Sequence, residues 1–259
     1  MKTRILASTM LIPFFVCVYF GGYALKIAVA ILAAIGLDEF YKALEAAGNK
    51  PSKAIGSAAL VVLVLGHILF NGFNPTFIMF FVIAFLMASL IYGFKIDEVS
   101  VLDSFGTFFG IIYVILFFYQ LILIDESEHS IYIWLVFLTA FGTDVMAYFT
   151  GYAIGKHKLC PKLSPKKTIE GAIGGVIGSV IFNLIFCLIF MKEFPVTIAI
   201  FSVVGSVISQ FGDLAASSIK RKVGIKDYGK IMPGHGGILD RFDSVLFVAP
   251  VLYLFIQFI

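Results

Sequence analysis

Long apolar runs separated by short polar segments make up most of this chain. Each run has close to the ~20 residues that an α-helix needs to cross a bilayer core of about 30 Å. The runs cover residues 5–21, 23–41, 54–71, 75–94, 101–124, 131–153, 171–191, 196–218 and 242–259. The pattern predicts an all-α, polytopic integral membrane protein with about nine transmembrane helices. We expect one membrane domain over residues 1–259, with N-terminal helices in residues 1–95 and the site carried by the helices of residues 96–259.

The composition agrees with a membrane protein and excludes a water-soluble globular domain. Hydrophobic residues make up 60% of the chain and charged residues 14%, whereas soluble domains usually contain about 25% charged residues. The net charge of +3 is too small to indicate a nucleic acid partner, and the charges are gathered in a few loops. This distribution favours a small, anionic and local partner.

The basic residues predict the orientation in the membrane, because Lys and Arg collect on the cytoplasmic side. With the N-terminus inside and nine spans, all 19 basic residues except Lys26 and Lys192 fall on that side. The C-terminus then lies outside. Two cytoplasmic loops, about residues 155–170 and 219–241, are strongly basic, which is typical of a bacterial-type inner-membrane protein with its working face in the cytoplasm.

The eighth run carries a polar face that ends in one of these basic loops. Gln210, Asp213, Ser217 and then Lys220 or Arg221 follow steps of three and four residues, so they share one face of a helix. A carboxylate such as Asp213 inside the membrane is by default a functional candidate. The alternative interpretation is an ion pair with Lys or Arg that only joins two helices.

The ninth run begins with two acidic residues behind a glycine-rich loop. Asp240 alone would be a helix cap, but if the eighth and ninth helices are neighbours, Asp213 and Asp240 converge on a pocket of oxygen ligands, which suits magnesium. The loop of residues 233–237 contains three glycines, whose backbone amides allow close approach of a phosphate. His235 within it is interpreted either as a site residue or as a structural one.

Two further stretches contain candidate polar residues. Asp144 interrupts the sixth run, and residues 164–171, which include Lys166 and Lys167, are expected to cap the seventh helix and direct two ammonium groups to the membrane surface. The glycines that follow are typical of close helix packing. At the end of the second run, a polar row from Asp38 to Glu45 either faces the site or is the hydrated end of a helix.

One long string joins most of these candidates: Ser217-x-x-Lys220-Arg221, then Lys226-Asp227, then Pro233-Gly234-His235-Gly236-Gly237-x-x-Asp240-Arg241-x-Asp243. It resembles the signature of the phosphatidate cytidylyltransferases, the CDP-diacylglycerol synthases. Asp144 and the segment 164–171 look like a second region shared by that family. The similarity is closest over residues 140–245.

The resemblance implies transfer of the cytidylyl group of CTP to phosphatidate, with magnesium as cofactor, a monovalent cation as a further candidate, and a homodimer. It implies metal ligation by Asp213 and Asp240, with Asp243 and Asp144 supporting. The catalytic residues that it implies are Asp213, Asp240, Lys220, Arg221, Lys226, Asp227, His235 and Arg241. The substrate-binding residues are Lys166, Lys167, Ser217, Gly234, Gly236 and Gly237.

Two other functions stay open from the sequence. The first is a CTP-dependent lipid kinase acting on a polyprenol or phytol, whose members look distantly similar in their membrane part. The second is a transporter for an anion. No inverted repeat is evident, and the charges gather at one face rather than at the midplane, which argues against the transporter.

Overall fold

The computed structural model describes residues 11–70, 72–191, 195–232, 234 and 236–258. The helices are α1 (Ile12–Phe20), α2 (Gly22–Ala46), α3 (Lys53–Phe70), α4 (Pro75–Tyr92), α5 (Val101–Gly110), α6 (Phe117–Asp125), α7 (Ile133–Ile154), α8 (Ile169–Phe186), α9 (Pro195–Lys222) and α10 (Leu239–Ile256). A π-helical turn, Ile111–Leu116, joins α5 to α6, and another, Cys187–Met191, extends α8. The described residues also form the strands β1 (Lys158–Cys160) and β2 (Ser164–Thr168).

The expected fold class is confirmed, because the described chain is nearly all helical and apolar. Within it, 6 helical segments are long and apolar enough to cross a membrane, judged by length and composition. They are Lys53–Phe70, Pro75–Tyr92, Val101–Asp125, Ser130–Ile154, Ile169–Met191 and Val196–Lys222. The predicted runs at 23–41 and 242–259 coincide with α2 and α10. Residues 5–10 of the first run lie outside the described residues.

The chain divides into two compact units. The first contains residues 11–119 and 222–240, and the second contains residues 120–221 and 241–258, in each case as far as they are described. The candidate residues are therefore divided between the two units, and we describe the two sets separately.

In the first unit, polar contacts tie α2 and the loop that follows it to α5. The Tyr41 hydroxyl, which is fully buried, donates to the backbone oxygen of Thr107 at 2.7 Å. The backbone amide of Lys50 donates to Asp103 Oδ1 at 2.5 Å. These bonds satisfy polar groups that would be costly to bury alone, and they fix the end of α2.

In the second unit, α7 and α8 meet along a face of glycines. A Cβ atom at Gly174 would overlap Thr150, and one at Gly178 would overlap Met146. The backbones can approach this closely only because the side chain is absent, as the glycine spacing predicts for membrane helices. The packing role expected for these glycines is confirmed.

Hydroxyl and amide side chains connect the same helices to α9. Asn183 Nδ2 donates to Thr139 Oγ1 at 2.7 Å and to Ser202 Oγ at 2.9 Å. One turn along, Thr143 Oγ1 donates to Ser206 Oγ at 2.7 Å. Bonds of this kind hold membrane helices together where the lipid offers no polar partner, and they fix α9 against α7 and α8.

A short hairpin was not expected from the sequence. Strands β1 and β2 pair antiparallel, with Lys158 opposite Thr168 and Cys160 opposite Ser164. The segment 164–171 does begin α8 as expected, but its capping residue is Thr168, whose side chain accepts from the amide of Gly171 at 3.1 Å. Ser164 instead opens β2. The apolar periodicity of the neighbouring helices gives no signal for so short a hairpin.

Candidate active site

A cavity of about 640 Å³ opens in the second unit between α7, α8, α9 and the hairpin. We call it the α7–α9 pocket. Its wall combines carboxylates and an amide from the helices, ammonium groups from the hairpin and two aromatic rings. These residues are Asp144, Tyr148, Tyr152, Lys158, Lys166, Lys167, Gln210 and Asp213. A pocket with cations and carboxylates together suits an anionic ligand with a metal ion.

Asp213 forms an ion pair with Lys167, and both residues line this pocket. Ser217 Oγ, one turn along α9, donates to Asp213 Oδ1 at 3.3 Å, and Gln210 Nε2 donates to the backbone oxygen of Ala172 at 3.2 Å. These contacts confirm the polar face of α9 that the spacing predicts. The cation that an intramembrane carboxylate requires comes from the hairpin.

Two more carboxylates belong to the same electrostatic cluster. Asp144, which is exposed to the pocket, interacts with Asp213, Lys167 and Arg241. Asp243 is buried and interacts with Asp213, Asp144 and Lys220. Three carboxylates and three cations therefore influence one another, and their formal charges cancel. The structure brings together six of the residues that the sequence singled out: Asp144, Lys167, Asp213, Lys220, Arg241 and Asp243.

The donors of this cluster fit magnesium. Carboxylate oxygens are the ligands that magnesium prefers, and it usually takes one or two of them together with waters and substrate phosphates. Among the described residues, no three or more His, Cys, Asp or Glu side chains form a group that could hold a metal by themselves. A site with one or two carboxylates does not need such a group, and magnesium binding by Asp213 and its acidic neighbours stays a prediction.

Glu170, in the segment 164–171 that the sequence identified, ties the segment before the hairpin to the start of α8. The Glu170 carboxylate contacts His157 Nδ1 at 2.6 Å and accepts from the backbone amide of Lys156 at 3.1 Å. This contact holds the residues that lead into β1 against the start of α8. Lys166 is exposed and Lys167 is half-buried against Asp213, so the two neighbouring ammonium groups have different surroundings.

The first unit contains the glycine-rich loop. Gly234 and Gly236 have φ values of 76° and 85°, in the left-handed region that favours glycine, and the amide of Met232 donates to the oxygen of Gly236 at 2.9 Å. Pro233 and His235 lie outside the described residues, and the role of His235 stays a prediction. Gly234 and Gly236 therefore use the backbone freedom that glycine provides.

The backbone amides around this loop are bound to carboxylates of the chain itself. Asp240 Oδ2 accepts from the amides of Tyr228 at 2.8 Å and Gly237 at 2.9 Å. This contact suits the alternative interpretation of Asp240 as a cap, while its role as a magnesium ligand stays a prediction. Phosphate binding by Gly234, Gly236 and Gly237 also stays a prediction. In this structure, however, the Gly237 amide donates to Asp240.

The next two amides donate to Glu39, which the sequence reasoning missed. Ile238 donates to Glu39 Oε1 at 3.0 Å and Leu239 donates to Oε2 at 2.9 Å. Glu39 is 4% exposed, although it lies within the polar row of α2, where Asp38 is 46% exposed and pairs with Lys42 at 2.6 Å. The row is thus mainly a hydrated helix end. Glu39 is an acid on the buried side of that helix, and that position was the available signal.

The remaining predicted residues lie at the surface. Arg221, Lys226 and Asp227 are exposed. Their catalytic roles stay predictions, and their position on the strongly basic loop agrees with the charge distribution of the sequence.

Comparison with known proteins identifies the family. Residues 2–259 match the Cytidylyltransferase family. The chain belongs to this family. Among curated relatives of this cytidylyltransferase, the phosphatidate cytidylyltransferase of Staphylococcus aureus (strain COL) is 34% identical, with 97% of each chain covered. That of Bacillus subtilis (strain 168) is 32% identical over 62% of this chain and 59% of its own. The family resemblance inferred from the motif is confirmed.

Proposed function

We propose that this chain transfers the cytidylyl group of CTP to phosphatidate, giving CDP-diacylglycerol and pyrophosphate. The observation that carries the proposal is the similarity over nearly the whole length to the Staphylococcus aureus phosphatidate cytidylyltransferase, at 34% identity. The α7–α9 pocket supports it, because cations and carboxylates line a cavity in a bundle of membrane helices.

The reaction needs positioning and charge compensation more than it needs a nucleophilic side chain. A phosphate monoester has a second pKa of about 6, so at neutral pH phosphatidate supplies its own nucleophilic oxygen. That oxygen forms a bond to the α-phosphorus of CTP while the bond from the α-phosphorus to the oxygen bridging to the β-phosphorus breaks. Pyrophosphate leaves with the electron pair. The protein must hold two anions in line and offset their repulsion.

The chain's own residues have chemistry suited to this task. Lys158, Lys166 and Lys167 provide ammonium groups on the hairpin side of the pocket, where they bind phosphate oxygens. The half-buried setting of Lys167 strengthens its interaction with an anion, because charges are screened less away from bulk water. Asp213, opposite it, keeps the ammonium group oriented before the substrates bind.

We propose magnesium as the cofactor, held by Asp213 with Asp144 and Asp243 in support. When bound, the ion offsets the charge of the phosphates and of the departing pyrophosphate. The argument for these residues is their donor chemistry and their mutual electrostatic influence. A monovalent cation is a second candidate for the same carboxylates.

We further propose that the N-terminus and the pocket face the cytoplasm of a bacterial-type inner membrane and that the C-terminus lies outside. The support is the bias of Lys and Arg among the loops. A cytoplasmic pocket at the edge of the bilayer suits a lipid headgroup that reacts with a water-borne nucleotide. We also propose a homodimer, for which the only support is the resemblance to the family.

The test is transfer of radiolabel by the purified protein in detergent micelles with phosphatidate, magnesium and CTP labelled at the α-phosphorus. We expect label in the lipid and release of one pyrophosphate for each labelled lipid. A lipid kinase would transfer the γ-phosphoryl group and leave the lipid unlabelled, and a transporter would release no pyrophosphate. Either result would overturn the proposal.

A further inference from the structure

We propose that Glu39 is a positioning residue for the reaction, acting through the glycine-rich loop and Asp240. The inference has a structural part and a kinetic part, and only the kinetic part rests on the proposed function. Its structural part concerns one buried carboxylate of α2 that holds the start of α10, a segment 200 residues further along the chain. No family signature or composition argument indicated this residue.

The bonds of Glu39 are made to the first amides of a helix. Both carboxylate oxygens are used, Oε1 by Ile238 and Oε2 by Leu239. The first amides of an α-helix have no partner within the helix, and a negative charge there is favoured by the helix dipole. Glu39 therefore binds amides directly beside the loop of residues 233–237, for which the sequence predicts an external phosphate.

The surrounding residues leave space for this carboxylate and for little else. A Cβ atom on Gly229 or Gly237 would overlap the Glu39 carboxylate. Gly229 has no positive φ, so its backbone does not by itself require glycine. The close approach of the Glu39 carboxylate explains why residue 229 is a glycine. The segments around Gly229 and Gly237 therefore both pack against this one side chain.

Asp240 completes the arrangement. Its Oδ2 accepts from Tyr228 and Gly237, so two carboxylates together hold four amides between residues 228 and 239. The two anions repel each other, and the amides between them offset that repulsion. Loss of the charge on Glu39 weakens its bonds to the Ile238 and Leu239 amides and removes its repulsion of Asp240. The loop and the Asp240 side chain should then shift without disturbing the hydrophobic core of the helices.

The first experiment measures backbone exchange directly. Hydrogen–deuterium exchange of peptides covering residues 228–245 is compared among the wild type, Glu39→Gln, and the control Asp38→Asn. Gln keeps the shape, but its amide group offers a donor where an acceptor is needed. We expect faster exchange of these peptides in Glu39→Gln only. Unchanged exchange would overturn the structural part, whether or not the protein transfers cytidylyl groups.

The second experiment measures kinetics on the same proteins. We expect Glu39→Gln to lower kcat at least about tenfold, which is about 1.4 kcal/mol in the barrier, while KM for CTP and for phosphatidate changes less than about threefold. Asp38→Asn should retain wild-type kinetics. A wild-type kcat in Glu39→Gln, or an equal loss in Asp38→Asn, would overturn the positioning role.

A third variant keeps the charge and displaces it. Gly229→Ala introduces a methyl group where the Glu39 carboxylate lies, so it should reproduce both the faster exchange and the lower kcat. This variant decides the question if Glu39→Gln does not accumulate as folded protein. Wild-type exchange and kcat in Gly229→Ala would refute the proposal.

Discussion

Replacing Lys167 with Met is the sharpest test of the α7–α9 pocket, because it removes one charge and keeps most of the side-chain volume. Lys167 pairs with Asp213, and their side chains are 26% and 23% exposed. Exposed ion pairs contribute about 0.2–1 kcal/mol, whereas removing one partner of a buried pair costs about 3–5 kcal/mol. We therefore expect the substitution to lower the free energy of unfolding by about 1–3 kcal/mol.

The expected loss of activity is larger than this loss of stability can explain. Removing one well-placed donor for a developing charge typically lowers kcat by about 10²–10³. A domain with about 5–15 kcal/mol of stability stays almost entirely folded after losing 3. A hundredfold loss at 25 °C would therefore report lost charge compensation, not unfolding.

The assay is transfer of α-labelled CTP to phosphatidate, run beside a thermal melt of each purified variant. Lys162→Met is the matched control, because Lys162 lies on the same hairpin, is exposed and does not line the pocket. We expect it to retain wild-type kinetics. If Lys167→Met keeps kcat/KM within about threefold of the wild type, under ~1 kcal/mol by rate arithmetic, the charge-compensation argument is wrong.

The other predictions concern the carboxylates, the metal and the helix packing. Asp213→Asn and Asp240→Asn should each abolish turnover while the thermal melt stays cooperative, and full activity in either variant would remove that residue from the site. Chelation of divalent ions should stop label transfer and added magnesium should restore it; activity that persists in the chelator would contradict the proposed cofactor. Gly178→Leu should lower the free energy of unfolding by about 1–3 kcal/mol or more, and the melting temperature with it, because the new side chain would collide with Met146. Ile177→Ala, at an exposed position on the same helix, should change the melting temperature little.

The helices could be predicted from the sequence because the membrane imposes a simple rule on it. Each span must be apolar over a fixed length and must form its backbone hydrogen bonds within the helix. Hydropathy alone therefore locates α3 to α9 closely. The close packing of the glycine face of α8 could be predicted equally well, because small residues spaced four apart on a membrane helix usually mark a close contact with another helix.

The site was only partly predictable, because contacts between distant segments leave little local signal. The pairing of Asp213 with a cation followed from the cost of burying a charge, but the sequence did not identify Lys167 as the partner. The bonds from Glu39 to Ile238 and Leu239 join residues that are 199 and 200 positions apart. The pattern along α2 left its polar row open between a face of the site and a hydrated helix end, and it passed over Glu39, the one buried acid of that row.

The glycine face between α7 and α8 determines how the hairpin can behave. A Cβ atom on Gly171 or Gly175 would overlap backbone oxygens of α7, so the two helices pack closely at these positions and leave little room for side chains to rearrange. The hairpin begins a few residues after the end of α7 and runs directly into α8. Both of its ends are therefore joined to these closely packed helices. Lys166 and Lys167 therefore lie on a segment whose two ends are fixed by close helix packing, so the conformational entropy that they would lose on binding an anion should come mainly from their own side chains.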